Sequence, residues 1–155
     1  MGQHSRTVRF AALASALVGL AAVVLAGTAT AGVPGDEVDG TPCTRAARAC
    51  VDLFARQAWL IADGEVVDGP VPISHGGPGR ETPVGDFRVQ WKDADHRSAE
   101  FGGAPMPWAV FFAPGGIAFH EGSLETPSAG CVRLVEQDAR AFFAHLSVGD
   151  AVQVR

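Results

Sequence analysis

Positive charge is scarce in this chain. Of its 155 residues twelve are Lys or Arg against seventeen Asp or Glu, and no basic run occurs. An acidic chain without a basic stripe is a poor partner for a polyanion, which argues against nucleic-acid binding. Metal ligands are equally thin. Structural zinc takes four side chains in paired short spacings, and a zinc protease needs His-Glu-x-x-His. Here three cysteines and five histidines are scattered, Cys43 and Cys50 being the one close cysteine pair, and that string is missing. Neither a metal nor a cofactor is expected. No two carboxylates stand in a context that marks them as a glycosidase pair, and no internal repeat is present.

What the chain does have begins with the layout of a secretory signal. Arg6 and Arg9, without an acid, precede an almost wholly apolar run over residues 10–26, and Ala29-Thr30-Ala31 supplies small residues for cleavage. The rival reading is an uncleaved anchor, but the run is marginal against the ~20 residues a span needs. No Cys lies at the cleavage region, which argues against a lipid-anchored terminus. Residues 1–31 are therefore read as a signal peptide and the product as secreted, with no stable membrane span. Cleavage after Ala31 leaves 124 residues, ten of them basic and seventeen acidic, with a formal charge of −7. That length and an apolar content of 47% suit a single domain. Residues 32–49, with Pro34, Gly35 and Gly40, read as a flexible lead-in holding a disulfide loop, and residues 50–155 as the domain.

In an oxidising compartment Cys43 and Cys50, close together ahead of the first strand, are natural partners. Closing so small a loop contributes about 2.5 kcal/mol in the chain-entropy model. Cys131 is then unpaired. The alternatives are that it pairs with one of the other two, or is a small buried hydrophobe. A free thiol outside the cell is a liability, easier to understand if chemistry uses it.

The stretch around Cys131 supplies that chemistry. Residues 117–120 and 131–134 read as short extended runs, joined by a Gly-, Ser- and Pro-containing loop that returns the chain to the same sheet edge. Such a loop can bring His120 alongside Cys131. A thiol is a weak nucleophile until a base takes its proton, so an imidazole within reach is the minimum for thiol acyl transfer. Gly130 permits an unusual backbone and lets a substrate approach main-chain N–H groups, as an oxyanion site requires. Arg133, two residues on, projects from the same strand face as Cys131. Its charge there favours the thiolate, binds a substrate carboxylate, or both.

Ser128-Ala129-Gly130-Cys131-Val132-Arg133, preceded by His120, resembles the signature of the L,D-transpeptidase catalytic domain (YkuD-like). Upstream, Thr82-Pro83-Val84-Gly85-Asp86-Phe87 is similar to that family's Thr-Pro-x-Gly-x-Phe element. Met106-Pro107-Trp108 followed by Phe111-Phe112 is similar to its Met-Pro-aromatic strand. Two departures stand out. Many members carry His directly before the Gly, where this chain has Ala129, which leaves His120 as the only base in the motif. The interval from His120 to Cys131 is also shorter than in most members, implying a trimmed loop over the site.

The resemblance implies an exported, cell-wall-associated cysteine acyltransferase with a mixed β-sandwich fold. Cys131 would be its nucleophile and His120 its base, oriented by a backbone carbonyl rather than by an acid. Gly130 and Ser128 would shape the oxyanion loop, and Arg133 would bind a donor carboxylate or steady that loop. Trp108 would wall the pocket or pack in the core. The partners implied are peptidoglycan stem peptides, with carbapenem-type β-lactams as inhibitors. The reaction implied releases D-Ala and forms a 3→3 cross-link. Water in place of the acceptor amine would make the protein an L,D-carboxypeptidase, and attachment of a protein to the wall lies within the same chemistry. A wall-binding module without turnover is the alternative of a different class.

The remaining pattern is mainly β with one helix in the C-terminal region. Strands are expected over residues 51–54 and 57–62, and Asp63-Gly64 marks a tight hairpin into 65–73. Residues 74–83 read as a loop, with His75 solvated in it, and 84–92 as one strand. Residues 93–107 read as a long flap or substrate wall, and 108–112 as a buried strand. Ala139, Phe142, Phe143 and Leu146 fall at helical spacing, with Glu136 and Asp138 where the helix dipole favours acids. His145 is a packing or surface residue of that helix. Residues 151–154 form the last strand.

Overall fold

The computed structural model describes residues 1–2 and 36–155. Residues 3–31 of the expected signal segment lie outside the described residues, and residues 36–155 belong to one compact unit. Among the described residues no helix is long and apolar enough to cross a membrane.

Two sheets make up the domain, the mainly β architecture with one helix near the C-terminus that the sequence indicates. The first has β1 (Ala49–Asp52), β2 (Gln57–Ala62), β3 (Glu65–Pro72), β4 (Gly85–Arg88) and β9 (Ala151–Val154), in the order β3-β2-β1-β9-β4. The second has β5 (Trp91–Ser98), β6 (Ala104–Ala113), β7 (Ile117–Glu121) and β8 (Val132–Leu134), in the order β5-β6-β7-β8. Asp63 and Gly64 both take positive φ, 53° and 77°, the conformation a two-residue hairpin demands.

Helix α1 (Glu136–His145) closes the main core. Its buried Phe142 ring lies 5.0 Å from Phe119, which in turn lies 4.7 Å from Phe112. These aromatics, with Leu60, Leu134 and Leu146, tie both sheets to the helix in one cluster. Burying a side chain of this size contributes roughly 1.5–3 kcal/mol. At the C-terminal end of α1 the Lys92 ammonium donates to the carbonyls of Phe143 and Leu146, meeting the negative end of the helix dipole.

Three expectations need correction. Residues 84–92 are two strands, not one: β4 pairs with β9 in the first sheet and β5 with β6 in the second, with buried Val89 at the corner between them. Residues 93–107 are not a loop but most of a hairpin, β5 and the start of β6 with a turn between. Charged residues on an edge strand are well solvated, so they hide the strand rather than forbid it. The lead-in is packed from its first described residues onward: Val38, Cys43 and Ala47 are buried with Cys50, Trp59 and Ile61 in a second small core. The Cys43–Cys50 disulfide sits inside that cluster, and the Gln153 side chain binds both the amide and the hydroxyl of Thr44.

Candidate active site

The outer face of the second sheet carries a third, smaller apolar cluster of Met106, Ala109, Phe111 and Ala118, and half-buried Cys131 packs against it. Alternation along β7 and β8 explains why. Phe119, Val132 and Leu134 point into the main core, so His120, Cys131 and Arg133 point the other way. β7 and β8 run parallel, with Phe119 paired to Val132 and His120 to Arg133. The loop over residues 122–131 thus returns the chain to the same sheet, as the Gly, Ser and Pro content of the sequence implies.

Cys131 has no disulfide partner. It lies where two clefts meet. The larger, about 410 Å³, is lined among others by His120, Arg80, Arg133, Ser128, Phe101 and Met106; the smaller, about 220 Å³, by His96, Trp91, Glu100, Phe111, Ala129 and Gly116. The structure therefore brings His120, Ser128, Cys131 and Arg133 into one cleft. Trp108 lines neither. Its φ is 60°, its place in the β5–β6 ladder is skipped, and its ring lies 5.5 Å from Phe143 with the Arg140 guanidinium 4.7 Å away, on the core side of the sheet.

His120 is nearly buried, 8% exposed. Its Nδ1 lies 2.7 Å from the Glu121 carbonyl, which can only accept, so Nδ1 carries the proton and Nε2 keeps its lone pair. Burial holds the imidazole below its ordinary pKa of 6.5; the Glu121 bond opposes this, and the Arg133 and His96 charges reinforce it. Burial also pushes the Cys131 thiol above its ordinary 9.0, and the Ala118 amide and the Arg133 charge offset this only in part. At rest, therefore, both groups are neutral. The thiol donates to the Gly116 carbonyl at 3.6 Å. The expected bias of Arg133 toward thiolate is present but outweighed by desolvation.

The loop before Cys131 is held from several sides. Gly130 has φ +119°, a backbone conformation that side chains rarely adopt, and this is what calls for glycine there. The Gly130 amide donates to Ser128 Oγ, and that hydroxyl donates to the Cys131 carbonyl at 2.5 Å. Ser128 is thus a brace, and the Gly130 amide is already engaged. Arg133 Nη2 donates to the Thr126 carbonyl at 2.6 Å.

Buried Thr82, part of the Thr-Pro-x-Gly-x-Phe element, locks the loop. It donates to the Gly130 carbonyl at 2.6 Å and accepts from the Gly76 amide at 3.0 Å. A Cβ on Gly76 would sit 2.0 Å from the Arg80 carbonyl, so that interlock admits no larger residue. Arg80 and His96 are also missing from the sequence-derived site. Both come from segments distant in the chain, and only the fold brings them to the clefts that Cys131 lines. His75 and His145 each bond a backbone carbonyl and line neither cleft.

A free thiol, a neutral imidazole with a fixed tautomer and a guanidinium thus line one cleft. Residues 46–154 match the L,D-transpeptidase catalytic domain (YkuD) model, and the chain belongs to that family. Solved structures agree. The L,D-transpeptidase from Stackebrandtia nassauensis is 28% identical, with a TM-score of 0.65 over 69% of this chain and 54% of that one. An L,D-transpeptidase from Mycobacterium tuberculosis H37Rv is 25% identical, with a TM-score of 0.63 over 71% of this chain and 57% of that one. One solved in complex with imipenem shares the fold at 23% identity, with a TM-score of 0.63 over 71% and 59%. This chain thus spans little more than half the length of those proteins. No curated protein matches it.

Proposed function

We propose that the protein is an exported cysteine acyltransferase that forms 3→3 peptidoglycan cross-links through a thioester on Cys131, with release of D-Ala. His120 Nε2 takes the thiol proton. The sulfur attacks the carbonyl joining the third stem residue to the terminal D-Ala, and the imidazolium then protonates the departing amine. Because the Gly130 amide is engaged with Ser128, the oxyanion falls to the Cys131 amide, which has no partner among the described residues. One such donor is worth about 3 kcal/mol. Arg133 steadies the loop through Thr126 and, with Arg80, presents positive charge to a donor carboxylate.

The observation that carries this reading is a free thiol placed between two clefts, with a neutral base in one of them. Two clefts suit two substrates, which favours transfer to an amine over transfer to water. A similar protein is solved in complex with imipenem, which supports carbapenem binding here, with Cys131 the expected point of acylation. Intact-mass analysis of mature protein with imipenem, followed by peptide mapping, is expected to place one adduct on Cys131. D-Ala release from a stem tetrapeptide is expected to vanish in Cys131→Ala. An unmodified Cys131, or a fully active Cys131→Ala, overturns the proposal.

A further inference from the structure

We propose that His96, held by Asp93, is the base that frees the attacking amine in the second half of the reaction, and that the smaller cleft is the acceptor's seat. This rests on the function proposed above and concerns only the step after D-Ala has left.

The two clefts differ in charge. Arg80 and Arg133, with Glu121, line the larger; the smaller has Glu100, His96 and the Trp91 ring, and neither arginine. The first suits a carboxylate, the second an ammonium, which a carboxylate and an aromatic face both attract. The acceptor is a side-chain amine with a pKa of about 10.4, so at neutral pH it arrives protonated and without a lone pair. It must lose one proton before attack and a second afterwards. The Cys131 motif supplies one imidazole for this, since Ala129 can take no proton.

His96 supplies another. Its Nδ1 lies 3.3 Å from Asp93 Oδ2, so Nδ1 donates and Nε2 is left as the acceptor. The ring stands edge-on to Phe111 at 5.0 Å and to Trp91 at 5.3 Å, and those two rings stack at 3.7 Å. Strand alternation alone would not place it there, because Trp91 and His96 are five residues apart. The β5–β6 ladder skips Ala94 and Trp108. That break brings His96 and Met106 to the face that Trp91 and Phe111 already occupy.

In the proposed step the ammonium gives one proton to His96 Nε2, and the freed nitrogen attacks the thioester carbonyl. A C–N bond forms as the C–S bond breaks. The second nitrogen proton passes to His120, which returns it to the sulfur. His96 releases its proton to water, so the acyl group moves from sulfur to nitrogen with one proton lost to solvent and no change of oxidation state.

The test uses mature protein acylated by a stem tetrapeptide, with two nucleophiles offered: a lysine-containing dipeptide, protonated at pH 7, and hydroxylamine, largely neutral there. His96→Gln is expected to slow transfer to the dipeptide by roughly 10²-fold, far more than it slows transfer to hydroxylamine or D-Ala release. Glu100→Gln, at an exposed turn, is expected to raise KM for the dipeptide with little change in kcat. Equal losses on both nucleophiles in His96→Gln would show a structural role and overturn the inference. So would wild-type protein that releases D-Ala normally but passes the acyl group to water alone. Failure to release D-Ala at all overturns the function proposed above, and this inference with it.

Discussion

The outer face of the five-stranded sheet is covered by Val38, Cys43 and Ala47, with the Cys43–Cys50 bridge pinning that cover to β1. The corresponding face of the four-stranded sheet bears Met106, Ala118, His120 and Cys131, over which two clefts remain open. Both sheets rest on the same main core. A sheet face sealed by apolar packing can only stabilise; one left partly open can hold polar groups dry enough to shift their pKa and still admit a substrate. Desolvation without closure separates the two.

Cutting into the open face is expected to have the largest effect. Cys131→Ala abolishes D-Ala release while leaving the thermal unfolding midpoint nearly in place, read by calorimetry beside the activity assay. His120→Gln follows, with a loss of roughly 10²–10⁴ in the acylation rate. The same pair sets the pH profile. With the imidazole held below 6.5, acylation falls only as pH drops below that value, because His120 then becomes protonated and can accept nothing. With the thiol held above 9.0, acylation does not climb between pH 7 and 8 as a free thiolate would require. A rate rising tenfold per unit across that range would show direct thiolate attack instead.

Thr82→Val removes the lock between the two loops. A buried hydrogen bond of this kind is worth about 1–3 kcal/mol, expected here as a fall of about tenfold in acylation with a modest loss of stability. The sealed face gives the opposite signature. Replacing Cys43 and Cys50 together by Ala is expected to lower unfolding free energy by about 2.5 kcal/mol and to leave the folded enzyme's rate constant in place. If that double variant lost its rate while staying folded, the division between the faces would fail.

Much of the site was legible because it is local. His120, Ser128, Gly130, Cys131 and Arg133 fall within fourteen residues, and strand alternation assigns their faces without coordinates. The hairpin at Asp63-Gly64 was legible for the same reason, since two adjacent residues suffice to set it. What stayed hidden was non-local. Nothing in residues 84–92 marks Val89 as the corner where the chain changes sheets. The charges of β5 read as a solvated loop, although pairing with β6 makes a strand of them. Trp108 stood in the sequence as either a pocket wall or a core residue, and its ring packs on the core side against Phe143. Thr82 bonds Gly130 from 48 residues away and His96 shares a cleft with Cys131 from 35 residues away, separations that only the fold closes.

Lys92 is the chain's single lysine, and its ammonium is bound to the carbonyls that end the helix. A thioester accepts any amine that has lost its extra proton, whichever molecule carries it. An enzyme of this kind crowded among its own copies would risk being welded to them through surface lysines. With arginine carrying nearly all of its positive charge and its lone primary side-chain amine tied down, the molecule would give the proposed thioester almost nothing of itself to label.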